Sequence, residues 1–175
     1  IVVENGKITA INTGTMISGA LTDSIDNSEV EVLDIKGLNV YPGLVDAHSH
    51  LGLDGYAIGF ESQDYNEMND IVTPQLRAID GFYPQDETVK LAREGGVTCV
   101  GTGPGSSNVL GGMFMAVKTY GHRVDDMVVK FPVAMKCAFG ENPKRCYKDK
   151  GNYSRMTTAF NLIGSWRFRM TVPLP

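Results

Sequence analysis

Short segments of alternating apolar and polar residues open the chain. Ile1–Val3 and Ile8–Ile11 flank an Asn5-Gly6 pair, and Asn-Gly between two such segments predicts a β-hairpin. A later segment with the same period of two, Glu29–Asp34, predicts a third strand. Two or three strands are not stable alone, so we expect residues 1–41 to pack against something else in the chain or in a partner.

From Leu44 the pattern changes, and apolar strands alternate with helical segments. Asp86–Glu94 has acids in its first turn and is stopped by Gly95-Gly96, which are start and stop signals of a helix. The buried strand Val97–Val100 follows directly. Strand, loop, helix and strand in this order are typical of a parallel α/β sheet. Further strands are predicted at Met113–Lys118 and Phe131–Phe139, and a helix capped by Ser154 at Ser154–Ile163. Leu53–Pro84 is a long loop of the kind that is either functional, here as a candidate substrate lid, or disordered.

Composition and charge narrow the function. The 175 residues are 42% hydrophobic and 21% charged, with a net charge of -4, as expected of a globular protein without a basic surface for nucleic acid. We therefore expect a small-molecule substrate and no nucleic acid. Cys99, Cys137 and Cys146 have no zinc-knuckle or disulfide-framework spacing, which favours the reducing cytoplasm. No apolar stretch resembles a signal peptide or a membrane span, so no membrane partner is expected.

His48 and His50 are the strongest chemical signal in the sequence. They end an apolar strand that begins near Leu44. Because side chains alternate along a strand, both imidazoles face the same way and can bind one metal ion. Asp46 shares that face, and in a parallel α/β barrel the carboxyl ends of the strands carry the chemistry. Two histidines at this spacing can also occur by chance, so the neighbouring residues decide between the two interpretations.

The segment Pro42–Gly52 (PGLVDAHSHLG) resembles the first barrel strand of the amidohydrolase superfamily, metal-dependent hydrolases that include imidazolonepropionase and dihydroorotase. The resemblance implies an α/β fold, namely a partial (β/α)₈ TIM-type barrel preceded by strands of a small β-sandwich. The sandwich strands would occupy residues 1–41 and the first half of the barrel residues 42–160. Residues 161–175 do not resemble the family and are interpreted as an atypical tail, whether divergent, frameshifted or truncated. Further similarity, to a bacterial subgroup labelled imidazolonepropionase-like, covers residues 71–81, 96–106 and 139–145.

The resemblance also assigns roles to individual residues. It implies His48, His50 and Glu141 as metal ligands, with zinc expected first and iron, manganese or nickel as alternatives; a solvated or capping role is the alternative for Glu141. Asp46 is interpreted as hydrogen-bonded to a ligating imidazole or as structural. Lys136 is a weaker candidate, since its neighbours do not match the family's carboxylated-lysine motif. Apart from the resemblance, the glycine-rich segment after the second barrel strand is either a plain tight loop or a substrate-binding loop. Its hydrogen-bonding side chains are Ser106, Ser107 and Asn108.

These residues predict a fragment of a metal-dependent amidohydrolase that hydrolyses amide or cyclic amide C–N bonds with metal-activated water. A complete barrel takes about 250 residues, and the family's later histidine ligands and catalytic aspartate have no counterpart after Glu141. We therefore assign no catalytic residue and expect the fragment to be inactive or weak. Uncovered strand edges predict a homo-oligomer. The alternative is a non-catalytic metal-binding or structural half-barrel that self-associates.

Overall fold

The computed structural model describes residues 1–11 and 31–170, and it describes side chains for residues 1–11 and 31–164. The chain divides into two compact units, Ile1–Tyr41 and Pro42–Pro175. No helix in the described ranges is long and apolar enough to cross a membrane.

The first unit contains the predicted hairpin. β1 (Val2–Glu4) pairs with β2 (Lys7–Ala10) in antiparallel orientation. Asn5 and Gly6 connect them with positive φ angles of 51° and 73°, as a two-residue type I′ turn requires. The third predicted strand is wrong where the structure describes it, since residues 31–34 form no strand; the two residues before them lie outside the described residues. The β-sandwich stays a prediction.

A four-stranded sheet organises the second unit. Its strands are β3 (Leu44–Ser49), β4 (Val97–Thr102), β5 (Leu110–Lys118) and β6 (Val128–Cys137), in the spatial order β3-β4-β5-β6. β3 and β4 are parallel, as the helical connection between them predicts. The β4–β5 and β5–β6 pairs are antiparallel. Together with its helices, this mixed sheet confirms the predicted α/β class.

The sheet departs from the parallel barrel that the sequence predicts. In the described residues only the β3–β4 pair is parallel. The connections from β4 to β5 and from β5 to β6 explain the difference, because they span only residues 103–109 and 119–127. A parallel crossover needs a dozen or more residues, whereas an antiparallel neighbour is reached by a short turn. The partial (β/α)₈ barrel is therefore not confirmed.

The helices of the second unit carry the local signals expected of them. α1 (Ala78–Gly81) is a single turn within the long segment after β3. α2 (Glu87–Glu94) begins after Asp86, whose carboxylate accepts the N–H of Thr88 at 2.7 Å, and ends at Gly95, so the predicted helix is confirmed. The remaining helices are α3 (Val124–Met127), α4 (Glu141–Cys146), a 3₁₀ turn at Lys148–Lys150 and α5 (Arg155–Met170).

α5 confirms the helix predicted after Ser154 and extends it. Ser154 Oγ accepts the N–H of Thr157 at 3.2 Å, the hydrogen bond of an N-cap. The helix then continues to Met170, through most of the segment 161–175 that the sequence sets apart as a tail. Residues 171–175 lie outside the described residues.

The core joins β4 and β5 to the helices α1, α2 and α3. β3 contributes none of its members, and its apolar side chains Leu44 and Val45 are 62% and 70% exposed. In the part of the chain that the structure describes, β3 is an edge strand with exposed apolar residues. The buried apolar cluster consists of Leu53, Ala78, Phe82, Val89, Val100, Met115, Val117 and Met127.

Candidate active site

His48, in β3, and His50, directly after it, lie side by side at the carboxyl end of the strand. Their ring centroids are 5.7 Å apart and their planes are nearly perpendicular, at 84°. The ring of Phe114, on β5, contacts both, with its centroid 5.3 Å from that of His48 and 6.4 Å from that of His50. Phe114 is buried, so both imidazoles rest against a fixed aromatic ring that the sequence does not single out.

His50 has a defined orientation. Its Nδ1 lies 2.7 Å from the carbonyl oxygen of Gly103, the first residue after β4. Because a carbonyl oxygen only accepts, Nδ1 is the nitrogen that carries the proton in the neutral ring, and this is the tautomer that ligates metal through Nε2. A side chain is excluded at Gly103, where a Cβ would lie 2.2 Å from the Phe114 ring. The sequence gives no sign of this contact, since a backbone carbonyl leaves no side-chain signal.

His48 faces an amine. Its Nε2 lies 3.5 Å from the Nζ of Lys136 on β6, so the weak ligand candidate of the sequence does reach the histidine pair. Burial lowers the pKa of Lys136, and the neighbouring Cys137 thiolate acts in the opposite direction. A protonated Lys136 would donate to Nε2 of His48. A metal ion at that nitrogen would have to displace this contact.

Asp46 binds the backbone of β3. Its Oδ1 accepts the backbone N–H of His48 at 3.0 Å, and in the described part of the chain the structure shows no hydrogen bond from its carboxylate to an imidazole. The orienting role that the sequence suggests for Asp46 is filled at His50 by the carbonyl of Gly103. Asp46 instead fixes the strand at the residue that carries the first imidazole.

Glu141 does not join the histidines. It is exposed and opens α4, where its charge suits the helix terminus. Across the residues that the structure describes, no group of three or more His, Cys, Asp or Glu side chains could hold a metal ion. Glu141 lies instead along a cleft of about 400 Å³ that Ser106 and Cys137 also line. Its role as a ligand stays a prediction.

Ser107 and Asn108 form a buried anchor for the segment after β4. Ser107 Oγ donates to Oδ1 of Asn108 at 2.5 Å. The Nδ2 of Asn108 donates to the carbonyl of Asp70 at 2.7 Å and to the hydroxyl of Tyr147 at 2.8 Å. That hydroxyl in turn donates to the carbonyl of Glu67, and burial raises the pKa of Tyr147 to about 12. These contacts bind the glycine-rich segment to the long loop after β3.

The three residues predicted to bind substrate differ in how exposed they are. Ser107 and Asn108 are only 3% and 0% exposed, and their contacts are those of the tight structural loop that the sequence leaves as an alternative. Ser106 is partly exposed. A larger opening, a cavity of about 500 Å³, lies between segments 63–67 and 76–81, and Tyr65 in its wall places its ring 5.6 Å from that of His50.

Two adjacent imidazoles at the carboxyl end of a strand in an α/β sheet are side chains that can bind a metal ion. The chain is 32% identical to amidohydrolase tasK of Hapsidospora irregularis, over 97% of this chain and 17% of that protein. It is also 32% identical to an N-substituted formamide deformylase of Arthrobacter pascens, over 46% of this chain and 12% of that protein. No family model matches the chain.

A comparison with solved structures also finds an amidohydrolase. The crystal structure of an amidohydrolase from Thermotoga maritima MSB8 matches with a TM-score of 0.79 and 37% identity, over 97% of this chain and 44% of that one. The chain belongs to the amidohydrolase superfamily, as the PGLVDAHSHLG motif predicts. It spans less than half the length of this relative and 17% of the length of tasK.

Proposed function

We propose that this chain is part of a metal-dependent amidohydrolase that hydrolyses amide or cyclic amide C–N bonds of a small molecule. The observation that carries the proposal is the pair of His48 and His50, with ring centroids 5.7 Å apart and the Nε2 of His50 free. The names of the relatives, amidohydrolase and N-substituted formamide deformylase, support an amide substrate. The three thiols are free, which supports a cytoplasmic location.

The donor set fits a divalent metal ion in part. Two imidazoles suit zinc, with iron, manganese or nickel as alternatives, but a catalytic zinc takes three protein ligands. Glu141 is our candidate for the third, although the described residues do not group it with His48 and His50. A metal ion bound here would supply activation of water and polarisation of an amide carbonyl. The chain itself contributes orientation, because Gly103 sets the tautomer of His50 and Phe114 packs against both rings.

The metal content of the purified protein tests the proposal. Plasma mass spectrometry on tag-free protein should find nearly one metal ion per chain in the wild type and none in the His48→Ala/His50→Ala variant. The matched control is His122→Ala, which removes the exposed third histidine near α3 and should leave the metal in place. Metal that persists in the double variant, or that is missing from both the wild type and the control, refutes the proposal.

A non-catalytic half-barrel that self-associates is the second candidate function. The observation that favours it is the edge strand β3, where Leu44 and Val45 are 62% and 70% exposed. Strand edges and exposed apolar residues favour pairing with another chain, and we take a second copy of this chain as the partner. Retained metal without hydrolysis of any amide would favour this candidate over the enzyme.

Light scattering on size-fractionated protein measures the association. The wild type should run as a dimer or larger, and Val45→Lys should shift it towards the monomer. Tyr153→Lys is the control, because Tyr153 is similarly exposed, at 68%, but lies outside the sheet. A monodisperse monomer in the wild type would exclude self-association.

A further inference from the structure

Tyr65 packs against the imidazole that is best placed to bind metal. The centroids of the Tyr65 and His50 rings are 5.6 Å apart, with an angle of 31° between the planes. This is the separation and tilt of an offset aromatic pair. Tyr65 follows His50 by fifteen residues, at the far end of a loop that leaves β3 and returns to it. The two residues in contact are therefore well separated in the sequence, and the strand alone does not bring them together.

The segment after β4 fixes the position of Tyr65. The N–H of Gly105 donates to the carbonyl of Tyr65 at 2.6 Å, and the N–H of Ser107 donates to Oδ1 of Asn66 at 3.2 Å. The backbones approach so closely that a Cβ on Gly105 would lie 2.5 Å from Cδ2 of Tyr65 and 2.4 Å from Oδ1 of Asn66. Neither ring nor backbone of Tyr65 can move far without breaking these contacts.

The same segment also holds His50. Its first residue, Gly103, accepts the Nδ1–H of His50 at 2.7 Å, only two residues before the N–H that binds Tyr65. The imidazole thus has a hydrogen-bond acceptor at Nδ1 and an aromatic ring packed against it, and one short segment of backbone sets both. Rotation of the imidazole about its Cβ–Cγ bond, which would put Cδ2 in the place of Nδ1, breaks the hydrogen bond and has to slide past the tyrosine ring.

We propose that Tyr65 is a positioning residue for His50, holding the imidazole in the orientation that donates from Nδ1 to Gly103 and leaves Nε2 free. The inference rests on the proposed function for its consequence, metal binding, but not for the contact itself. The tyrosine hydroxyl plays no part, and the ring alone provides the effect. An aromatic pair of this kind corresponds to about a threefold to tenfold change in an equilibrium constant, which is the change we expect in metal affinity.

Two variants of the full chain separate the ring from the hydroxyl. Tyr65→Leu should lower zinc affinity, measured by competition with a chelator, about threefold to tenfold. Tyr65→Phe keeps the ring and should bind zinc as the wild type does. A loss in Tyr65→Phe equal to that in Tyr65→Leu, or no loss in either, overturns the proposal. Thermal unfolding checks that each variant is folded, and Tyr65→Met replaces the leucine variant if that one does not fold.

Nitrogen-15 spectra of the imidazole supply a readout that a merely structural role would not change. In metal-free protein at alkaline pH, where the ring is neutral, His50 should be a single Nδ1–H tautomer in the wild type and in Tyr65→Phe. It should become a mixture in Tyr65→Leu. A single tautomer in Tyr65→Leu refutes the positioning role. This measurement needs no metal, so a wild type that binds no zinc would contradict the proposed function while the tautomer still decides the role of Tyr65.

Discussion

Gly101→Ala is expected to disturb the candidate site through the backbone of β3. Gly101 lies in β4, and a Cβ at this position would lie 2.5 Å from the carbonyl oxygen of Ala47 and 3.1 Å from its carbonyl carbon. Real Cβ atoms do not approach within 3.0 Å, so one strand must move by about half an ångström. Because both contacts are with backbone, no flexible side chain can absorb the movement. Ala47 directly precedes His48, so the shift falls on a proposed metal ligand.

Gly101→Ala should lower stability through overpacking and zinc affinity through displacement of His48. Overpacking costs about 1–3 kcal/mol, and we expect about 2 kcal/mol for Gly101→Ala, since a hydrogen-bonded strand must shift. For a unit of this size that lowers the Tm by roughly 6 °C. Displacing the support of a ligand typically lowers metal affinity by about tenfold or more. Denaturant unfolding measures the first effect and zinc competition the second.

The control for Gly101→Ala is Gly95→Ala, at the end of α2. A Cβ there would lie 3.4 Å from the carbonyl oxygens of Leu91 and Ala92, an ordinary contact, and its φ of -75° suits alanine. Alanine at such a position stabilises by about 0.4–1 kcal/mol through the unfolded chain. If Gly101→Ala changed stability by no more than about 0.5 kcal/mol and left zinc affinity intact, the close packing of β3 on β4 would be disproved.

Three further substitutions test separate contacts. Asp86→Ala removes the cap of α2 and should lower the free energy of unfolding by about 1–2 kcal/mol in urea titrations; an unchanged midpoint would mean that the cap contributes nothing. Tyr147→Phe leaves one of the two side-chain N–H groups of buried Asn108 without an acceptor and should cost about 1–3 kcal/mol at neutral pH. Because burial raises the pKa of Tyr147 from 10.0 to about 12, the folded state favours the neutral phenol. Wild-type stability should therefore fall between those pH values, and Tyr147→Phe should lack this fall. Lys136→Met removes an amine 3.5 Å from Nε2 of His48 and should raise zinc affinity about fivefold or more, since two like charges about 4 Å apart repel by about 1 kcal/mol even in water; a lower affinity in chelator competition would make Lys136 a ligand.

Elements set by local chemistry were predictable from the sequence. Asn5-Gly6 determines the hairpin because few residue pairs accept two successive positive φ angles. Asp86 and Gly95 likewise mark the ends of α2 through hydrogen bonds to residues close in sequence. Strand partners depend on contacts between distant residues, so the antiparallel neighbours of β5 were not predictable in this way.

Gly112 shows that a contact between distant residues can place a glycine inside a strand, where the sequence predicts a loop. The sequence places the start of β5 at Met113 and treats the glycines before it as a loop, whereas the strand begins at Leu110. Gly112 has a φ of 111°, and a Cβ on it would lie 2.6 Å from the carbonyl oxygen of Leu76. A glycine is needed inside the strand because the backbone of the long loop passes against it. That reason is visible only once the loop is in place.

The candidate site was likewise predictable only in part from the sequence. The spacing of His48 and His50 predicts that their rings are neighbours, because His48 lies in β3 and His50 directly follows its last residue. Gly103, Tyr65 and Lys136 come from three other segments, and only their arrangement in space brings them to the imidazoles. A carbonyl oxygen and a packed ring also lack the chemical signature by which a ligand is recognised in a sequence.

Around the candidate site, apolar side chains are exposed and polar side chains are buried. This distribution links the two proposed properties of the chain, metal binding and self-association. Leu44 and Val45, on the strand that leads to the histidines, are mostly exposed, whereas Ser107 and Asn108, in the segment after β4, are buried. An apolar side chain of this size forgoes roughly 1.5–3 kcal/mol when it stays in water, so β3 favours any surface that covers it. If a second copy covers β3, zinc binding and association should be coupled, and dilution to the monomer should weaken the zinc affinity. Titrations of zinc at several protein concentrations measure the coupling. An affinity independent of concentration would show that the histidine pair binds its metal within one chain.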